Sequence, residues 1–238
     1  MKSILLILFF LTRLSAECYE LNFADCSYWS AFCEWNEETG QCQEIGGGGQ
    51  GDGSADGPYE YGNITESDGL RNGPDYRDGV VYYPIDAEPP FKSIIFTPGY
   101  GGGSSSMSDW GQYFASHGFT AMIIGPNDEI NEWHIGRAEG LIDAIETVKQ
   151  ENERVSSPLY GMIDENSFIV SGYSMGGGAS QIALTLDHPN VTSIKGGIAL
   201  NPTILLEDCG LCPEEDGYCI CLVPEMLNHA IPTLIVAG

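Results

Sequence analysis

The sequence predicts an α/β domain with a mostly parallel central sheet, joined to a small cysteine-rich module on its amino-terminal side. Its 238 residues exceed the ~150 residues of a typical domain, which leaves room for one large domain and one small one. Hydrophobic residues make up 42% and charged residues 18% of the chain, which excludes a disordered protein. From position 58 onwards, short apolar runs alternate with helical periodicity, the pattern of strands joined by helices.

The predicted strands are apolar runs bounded by Gly, Pro or Asn, as in buried parallel strands. They cover residues 80–85, 93–97, 121–124, 168–171, 197–200 and 234–237. Between them, Ser108 is expected to cap a helix that Gly118 closes. Apolar residues recur at helical spacing and predict a second helix over residues 131–152. Good helix formers after residue 178 predict a third helix, which His188 ends.

Residues 1–16 have the form of a secretory signal, with Lys2, an apolar run over residues 4–11 and small residues before the expected cleavage near Ala16. The apolar run is too short to anchor the chain in a membrane. We therefore expect a secreted, extracellular protein. Asn63 and Asn190 begin sequons that a glycosylating host would modify.

The charge balance restricts the classes of partner. Asp and Glu total 34 against 9 Lys and Arg, so the surface repels phosphate groups. We expect no nucleic acid and no acidic membrane as a partner, and the sequence leaves open whether the chain has a protein partner.

Cysteines divide the amino-terminal side of the chain. Residues 17–43 form a cysteine-rich module and residues 44–57 a Gly-rich linker, so that the large domain spans residues 58–238. The stretch CEWNEETGQC resembles a plexin-repeat type module. Two disulfides are expected among its four cysteines, with three pairings open and a zinc site as the alternative. These are Cys18, Cys26, Cys33 and Cys42.

The motif GYSMG, residues 172–176, lies where a predicted strand meets a predicted helix. This placement is typical of a nucleophile elbow, a sharp turn that exposes the Ser174 hydroxyl at the top of the sheet. Gly172 and Gly176 are expected where strand and helix backbones approach too closely for side chains. An ordinary Gly-rich connection is the alternative.

A second Gly-rich loop follows the strand at residues 93–97. It reads PGYGGG and sits where α/β-hydrolases supply an oxyanion donor. The amides of Tyr100 and Met175 are then expected to face one carbonyl oxygen. A phosphate-binding loop is the alternative, but the Lys-Ser/Thr ending is missing.

From about residue 59 to residue 238, the chain resembles secreted α/β-hydrolases of the polyester hydrolase and cutinase-like group, related to dienelactone hydrolases. The matching stretches are FTPGYGGG, FASHGFTAMII, RAEGLIDAIETV, SSPLYGMIDENSFIVSGYSMGGGAS and IPTLIVAG. The resemblance implies an α/β-hydrolase fold with Ser174 as nucleophile and Tyr100 and Met175 as oxyanion residues. It also implies that Tyr100 forms one wall of the acyl pocket, and that no metal or cofactor is needed.

The chain departs from this family at two places. Thr203 stands where the family often has a tryptophan, and it cannot stack on an aromatic acyl group, so cleavage of an aromatic polyester is not expected. An acidic loop follows with four more cysteines, for which we expect two disulfides, with a metal site as the alternative. These are Cys209, Cys212, Cys219 and Cys221.

A serine nucleophile needs a histidine base held by a carboxylate, in the chain order Ser, Asp or Glu, His. In this fold the acid is expected after the strand at residues 234–237 and the histidine later still. The four histidines within the chain do not fit the role, and Asp128 and Glu129 only border the cleft. These histidines are His117, His134, His188 and His229. We therefore expect a truncated record that lacks the last strand and helix and is weakly active.

The sequence thus predicts a secreted serine esterase acting on carboxylic esters, including cutin-like or other polyesters. Two alternatives stay open. One is a catalytically inactive hydrolase-fold binding protein, and the other is an acyltransferase or perhydrolase on the same scaffold.

Overall fold

The computed structural model describes residues 33–36, 39–44, 56–203 and 224–237. The chain divides into two units, Met1–Ala55 and Asp56–Gly238. Several predictions concern positions outside the described residues. These are the signal over residues 1–16, most of the linker, and Cys18, Cys26, Cys209, Cys212, Cys219 and Cys221.

Within the first unit, strands β1 (Cys33–Asn36) and β2 (Gln41–Glu44) pair antiparallel. The chain reverses at Gly40, whose φ of 66° suits glycine. The amide of Gly40 donates to the carbonyl of Asn36 at 2.9 Å. Cys42 is buried on this hairpin, and the disulfide pairing of the module stays a prediction.

The second unit is built on a seven-stranded sheet in the order β3-β4-β6-β5-β7-β8-β9. Strands β3 and β4, and β4 and β6, pair antiparallel, whereas the other four pairs are parallel. The mostly parallel sheet is confirmed, and each of the six predicted strands is present. The strands are β3 (Tyr61–Ile64), β4 (Asp78–Pro84), β5 (Phe91–Thr97), β6 (Thr120–Gly125), β7 (Ile163–Tyr173), β8 (Ile194–Leu200) and β9 (Thr233–Val236).

Helices cover both faces of this sheet. They are α1 (Ser108–Ser116), α2 (His134–Glu153) and α3 (Met175–Ala183). Alternate residues of one strand face opposite sides: Met122 packs in the core beneath α2 and α3, while Ile123 packs with the residues of α1. The layered α/β prediction is therefore confirmed, and the apolar stripe predicted on the second helix is the buried face of α2.

Two details of the helix predictions are wrong. Met107, not Ser108, is the N-cap of α1, because a 3-10 turn (Ser104–Met107) runs directly into the helix. The third helix ends at Ala183, so His188 lies beyond it. His188 precedes Pro189 and adopts an extended backbone, as residues before proline do.

The sheet brings the carboxyl ends of its central strands together. Thr97 at the end of β5 lies in register with Gly172 of β7, and Tyr173 with Leu200 of β8. Loops that leave these strands consequently emerge at one edge, where α/β proteins place their ligand sites. In the described part of the chain, no helix combines the length and apolarity needed to cross a bilayer.

Candidate active site

Ser174 lies between the last residue of β7 and the first residue of α3. Its backbone has φ 54° and ψ −115°, a conformation rare outside glycine. Backbone hydrogen bonds fix this turn: the Ser174 amide donates to Leu200 O at 2.9 Å, and its carbonyl accepts from Gly178 at 3.1 Å and Thr203 at 3.0 Å. The turn therefore has the strain and the placement of a nucleophile elbow, with Ser174 half-buried.

The two glycines of the motif allow the backbones to touch. A Cβ on Gly172 would lie 2.3 Å from the carbonyl carbon of Gly176. A Cβ on Gly176 would lie 2.2 Å from Thr97 O and 2.5 Å from Pro98 O. No side chain fits at these distances, so strand, loop and helix can meet here only with glycine at both positions.

The loop of residues 98–103 begins directly after β5. We call it the oxyanion loop, after the role that the sequence predicts for it. A Cβ on Gly99 would lie 3.1 Å from the Cβ of Ser174, so this loop contacts the turn that carries the serine. Gly101 has φ 73°, which turns the loop back towards residue 129, where the Gly101 amide donates to Glu129 O at 2.8 Å. Tyr100 sits beside Ser174 in the same cleft, and Met175 opens α3 with its side chain buried.

A cleft of about 500 Å³ opens beside Ser174. Its lining residues come from the oxyanion loop, the 3-10 turn and the start of α1, and the end of β7 with the turn that follows it. They are Pro98, Gly99, Tyr100, Gly101, Gly102, Ser106, Met107, Trp110, Tyr173 and Ser174. Three aromatic rings are exposed there: Tyr100 at 57%, Trp110 at 42% and Tyr173 at 50%. The cleft therefore offers flat apolar surface next to the serine hydroxyl.

Two of these rings were not predicted from the sequence. Tyr173 occupies the variable position of the GxSxG motif, and that position next to the serine could have identified it. Trp110 gave no such signal, since it belongs to an ordinary helical pattern. Outside the cleft lining, Trp133 stacks on Tyr100 with ring centroids 6.5 Å apart. Thr203 does not belong to the described lining of the cleft.

The four histidines all have partners elsewhere. His117 is the C-cap of α1, and its Nδ1 lies 2.8 Å from Tyr113 O. His134 is buried, with Nε2 2.9 Å from the hydroxyl of Thr203. His188 Nδ1 accepts from the Asn190 amide at 3.2 Å, and His229 Nδ1 lies 3.0 Å from Ile231 O. None of them lies among the described residues that line the cleft.

Asp128 and Glu129 are also engaged. Asp128 accepts hydrogen bonds from Asn131 and Ile130, which lower the pKa of its carboxyl group. Glu129 pairs with Arg77 at 2.5 Å. Both carboxylates therefore shape the loop beside the cleft.

The residues of this site lie within the part of the chain that matches a known protein family. The profile of a PETase family, described as PET hydrolase-like, matches residues 53–205. Cutinase est1 of Thermobifida alba is 31% identical over 147 residues, which cover 61% of this chain and 46% of that protein. The bis(hydroxyethyl) terephthalate hydrolase of Streptomyces coelicolor is 30% identical over 147 residues, covering 61% of this chain and 44% of that protein. The chain thus spans less than half the length of these relatives.

Proposed function

This chain belongs to the PET hydrolase-like family, and from that premise we propose that it is a serine hydrolase of carboxylic esters, polyesters among them. The observation that carries the proposal is the strained backbone of Ser174, which holds a hydroxyl-bearing residue at the meeting point of β7, α3 and the oxyanion loop. A strained serine at a strand-to-helix turn is the arrangement of an esterase nucleophile.

In the proposed reaction, Ser174 Oγ attacks the ester carbonyl carbon and loses its proton to a histidine base. The amides of Tyr100 and Met175 stabilise the negative charge on the carbonyl oxygen. The tetrahedral intermediate collapses, the alcohol leaves with the proton, and water then releases the acid from the acyl-serine. The four histidines have the partners described above, so none of them is assigned as this base.

The substrate's acyl or alcohol group would pack against the exposed rings of Tyr100, Trp110 and Tyr173. Aromatic side chains bind flat and aliphatic groups alike. We therefore propose that esters with a bulky apolar group, on either the acyl or the alcohol side, are preferred over acetyl esters of small alcohols.

We also propose that the protein is exported through its first 16 residues and that its cysteines form disulfides. Of the two sequons, Asn63 is exposed on β3, whereas Asn190 is 6% exposed. The Asn190 side chain also accepts from Lys149 Nζ at 3.0 Å. Asn63 is therefore the proposed glycan acceptor of the folded protein.

The test of the esterase proposal is turnover of chromogenic esters by the complete translation product of the gene, beside its Ser174→Ala variant. We expect the variant to lose at least about 10³-fold in kcat, since the nucleophile is removed. Ser193→Ala is the matched control, because it removes a serine hydroxyl that is buried, donates to Asn190 O at 2.7 Å and lies at the opposite end of β8 from Ser174. Equal rates for wild type and Ser174→Ala would contradict the proposal and favour a binding protein.

A further inference from the structure

Arg137 is a fully buried cation in the first turn of α2, with 1% of its surface exposed. We propose that it is a positioning residue that holds the oxyanion loop in place for catalysis, an inference that rests on the proposed function. Among the described residues, its guanidinium donates to three backbone carbonyls and to no carboxylate: Nε to Glu132 O at 3.0 Å, Nη1 to Pro98 O at 3.1 Å and Nη2 to Glu129 O at 3.0 Å.

These bonds reach the oxyanion loop on both sides of Tyr100. Pro98, two residues before Tyr100, is held directly through its carbonyl. Gly101, one residue after Tyr100, donates its amide to Glu129 O at 2.8 Å, the carbonyl that Nη2 of Arg137 also holds. The peptide of Tyr100 therefore lies between two points whose positions both depend on one guanidinium.

The same contact sets the spacing between the two proposed oxyanion donors. Pro98 O lies against Gly176, where a Cβ would come within 2.5 Å of it. Gly176 directly follows Met175, the other proposed donor. A shift of Pro98 would therefore move the Tyr100 amide relative to the Met175 amide.

Stability alone does not explain an arginine here. Burying a charge is unfavourable unless it is well paired, and well-packed apolar residues often replace buried charges without loss of stability. The guanidinium has a planar fork of donors that a lysine ammonium lacks. The three carbonyls belong to two segments, the loop of residues 129–132 and the start of the oxyanion loop, and bonding all three at once needs that fork.

The charge environment is compatible with this role. The carboxylates of Glu132, Glu129 and Asp128 attract the buried cation, while burial lowers the pKa of Arg137. None of the three is hydrogen-bonded to the guanidinium through its side chain in the described contacts. The donors of Arg137 therefore remain committed to the backbone.

The experiment compares Arg137→Met and Arg137→Lys with wild type in the complete translation product. Arg137→Met removes the three donors, and we expect kcat to fall by about 10²-fold, the loss typical of a displaced catalytic group. KM should change little, because oxyanion contacts strengthen in the transition state. The kcat of Arg137→Lys should lie between those of Arg137→Met and wild type. Arg71→Lys is the matched control, since Arg71 bonds Thr147 and Asp143 away from the cleft.

A second readout does not depend on activity. Hydrogen exchange of the Gly101 amide, measured by NMR, should accelerate at least tenfold in both Arg137 variants while core amides of β7 keep their wild-type rates. General destabilisation would instead accelerate exchange throughout the sheet. Arg71→Lys should leave Gly101 exchange unchanged.

Each outcome decides the inference. Wild-type kcat in a folded Arg137→Met, or unchanged exchange at Gly101, overturns it. If Arg137→Met does not fold, the same two readouts on Arg137→Lys decide. If wild type shows no turnover that depends on Ser174, the proposed function fails, and exchange at Gly101 then decides separately whether Arg137 holds the loop.

Discussion

At the scale of single residues, His134 is an imidazole held in the protein interior at the start of α2. It is 2% exposed, and its Nδ1 is buried without a hydrogen-bond partner among the described residues. Burial is the main cause that lowers the pKa of His134 below its ordinary value of 6.5, and the nearby positive charge of Arg137 lowers it further. The folded protein therefore favours the neutral form of the His134 side chain.

Acidification is expected to destabilise the protein through His134. Below pH 6.5, the His134 side chain binds a proton more readily in the unfolded chain than in the folded one. The contribution of neutral His134 to the free energy of unfolding is therefore complete above this pH and decreases as the pH falls towards the folded pKa. The slope from this group is at most about 1.4 kcal/mol per pH unit. Denaturant unfolding between pH 7 and pH 5 should show a flatter slope for His134→Asn than for wild type.

The control for this prediction is His117→Asn, because His117 is exposed at the end of α1. An equally flat slope in His117→Asn would show that the loss of any imidazole, and not of the buried one, causes the effect. An unaltered slope in His134→Asn would mean that other groups set the acid sensitivity.

The residues of the candidate site differ in how far the sequence could predict them. Ser174 and its glycines form a motif with a known backbone requirement, and the structure has the predicted strand-to-helix turn. Arg137 was missed, although it lies four residues before Leu141 of the buried stripe and so on the same helix face. A charged residue on that face was a usable signal. Its partners are backbone carbonyls, and one of them, Pro98 O, lies 39 residues away in the sequence, where no local pattern specifies it.

At the scale of secondary-structure elements, the turn between β7 and α3 depends on the lack of a side chain at Gly176. Gly176→Ala should destabilise the protein by about 3 kcal/mol or more, because the new methyl group would overlap backbone oxygens that cannot move independently. Gly196→Ala in β8 is the control, since its Cβ would meet only Pro232 O at an ordinary 3.5 Å. Thermal unfolding of the two variants checks the prediction, and similar melting temperatures would contradict it.

Elements were predictable where burial dictates their composition. The predicted runs within the central strands β5, β6 and β7 are largely apolar and almost entirely buried, and this composition identified them as strands. Strand β3 was missed because it is a short edge strand containing Gly62 and Asn63, with only Ile64 buried. The cap of α1 was misassigned because Ser104–Met107 is a preceding 3-10 turn, and four small or flexible residues give no local sign of it.

At the scale of the whole molecule, two features have opposite effects on association between copies of the chain. The net charge of −25 makes the copies repel one another, whereas strand β9 favours their association. Leu234, Ile235 and Val236 are 60%, 55% and 48% exposed, and β9 pairs only with β8 in the described sheet. An exposed apolar edge strand is a template for association.

We therefore expect the 238-residue chain to self-associate at high salt, where repulsion is screened. Ile235→Lys should reduce light scattering under these conditions. Val155→Lys, which makes the same charge change at a 79% exposed position outside any strand, should not. Equal scattering from both variants would show that charge, not the strand edge, controls association.

The twisted backbone at Ser174 has an energetic consequence for the whole molecule. A non-glycine residue in such a conformation costs roughly 1–3 kcal/mol, a sizeable share of the roughly 5–15 kcal/mol that keeps a typical domain folded. Glycine would relieve that burden but has no hydroxyl. The proposed nucleophile and the stability of the fold thus make opposite demands on one position, and Ser174→Gly would gain stability at the expense of the proposed activity.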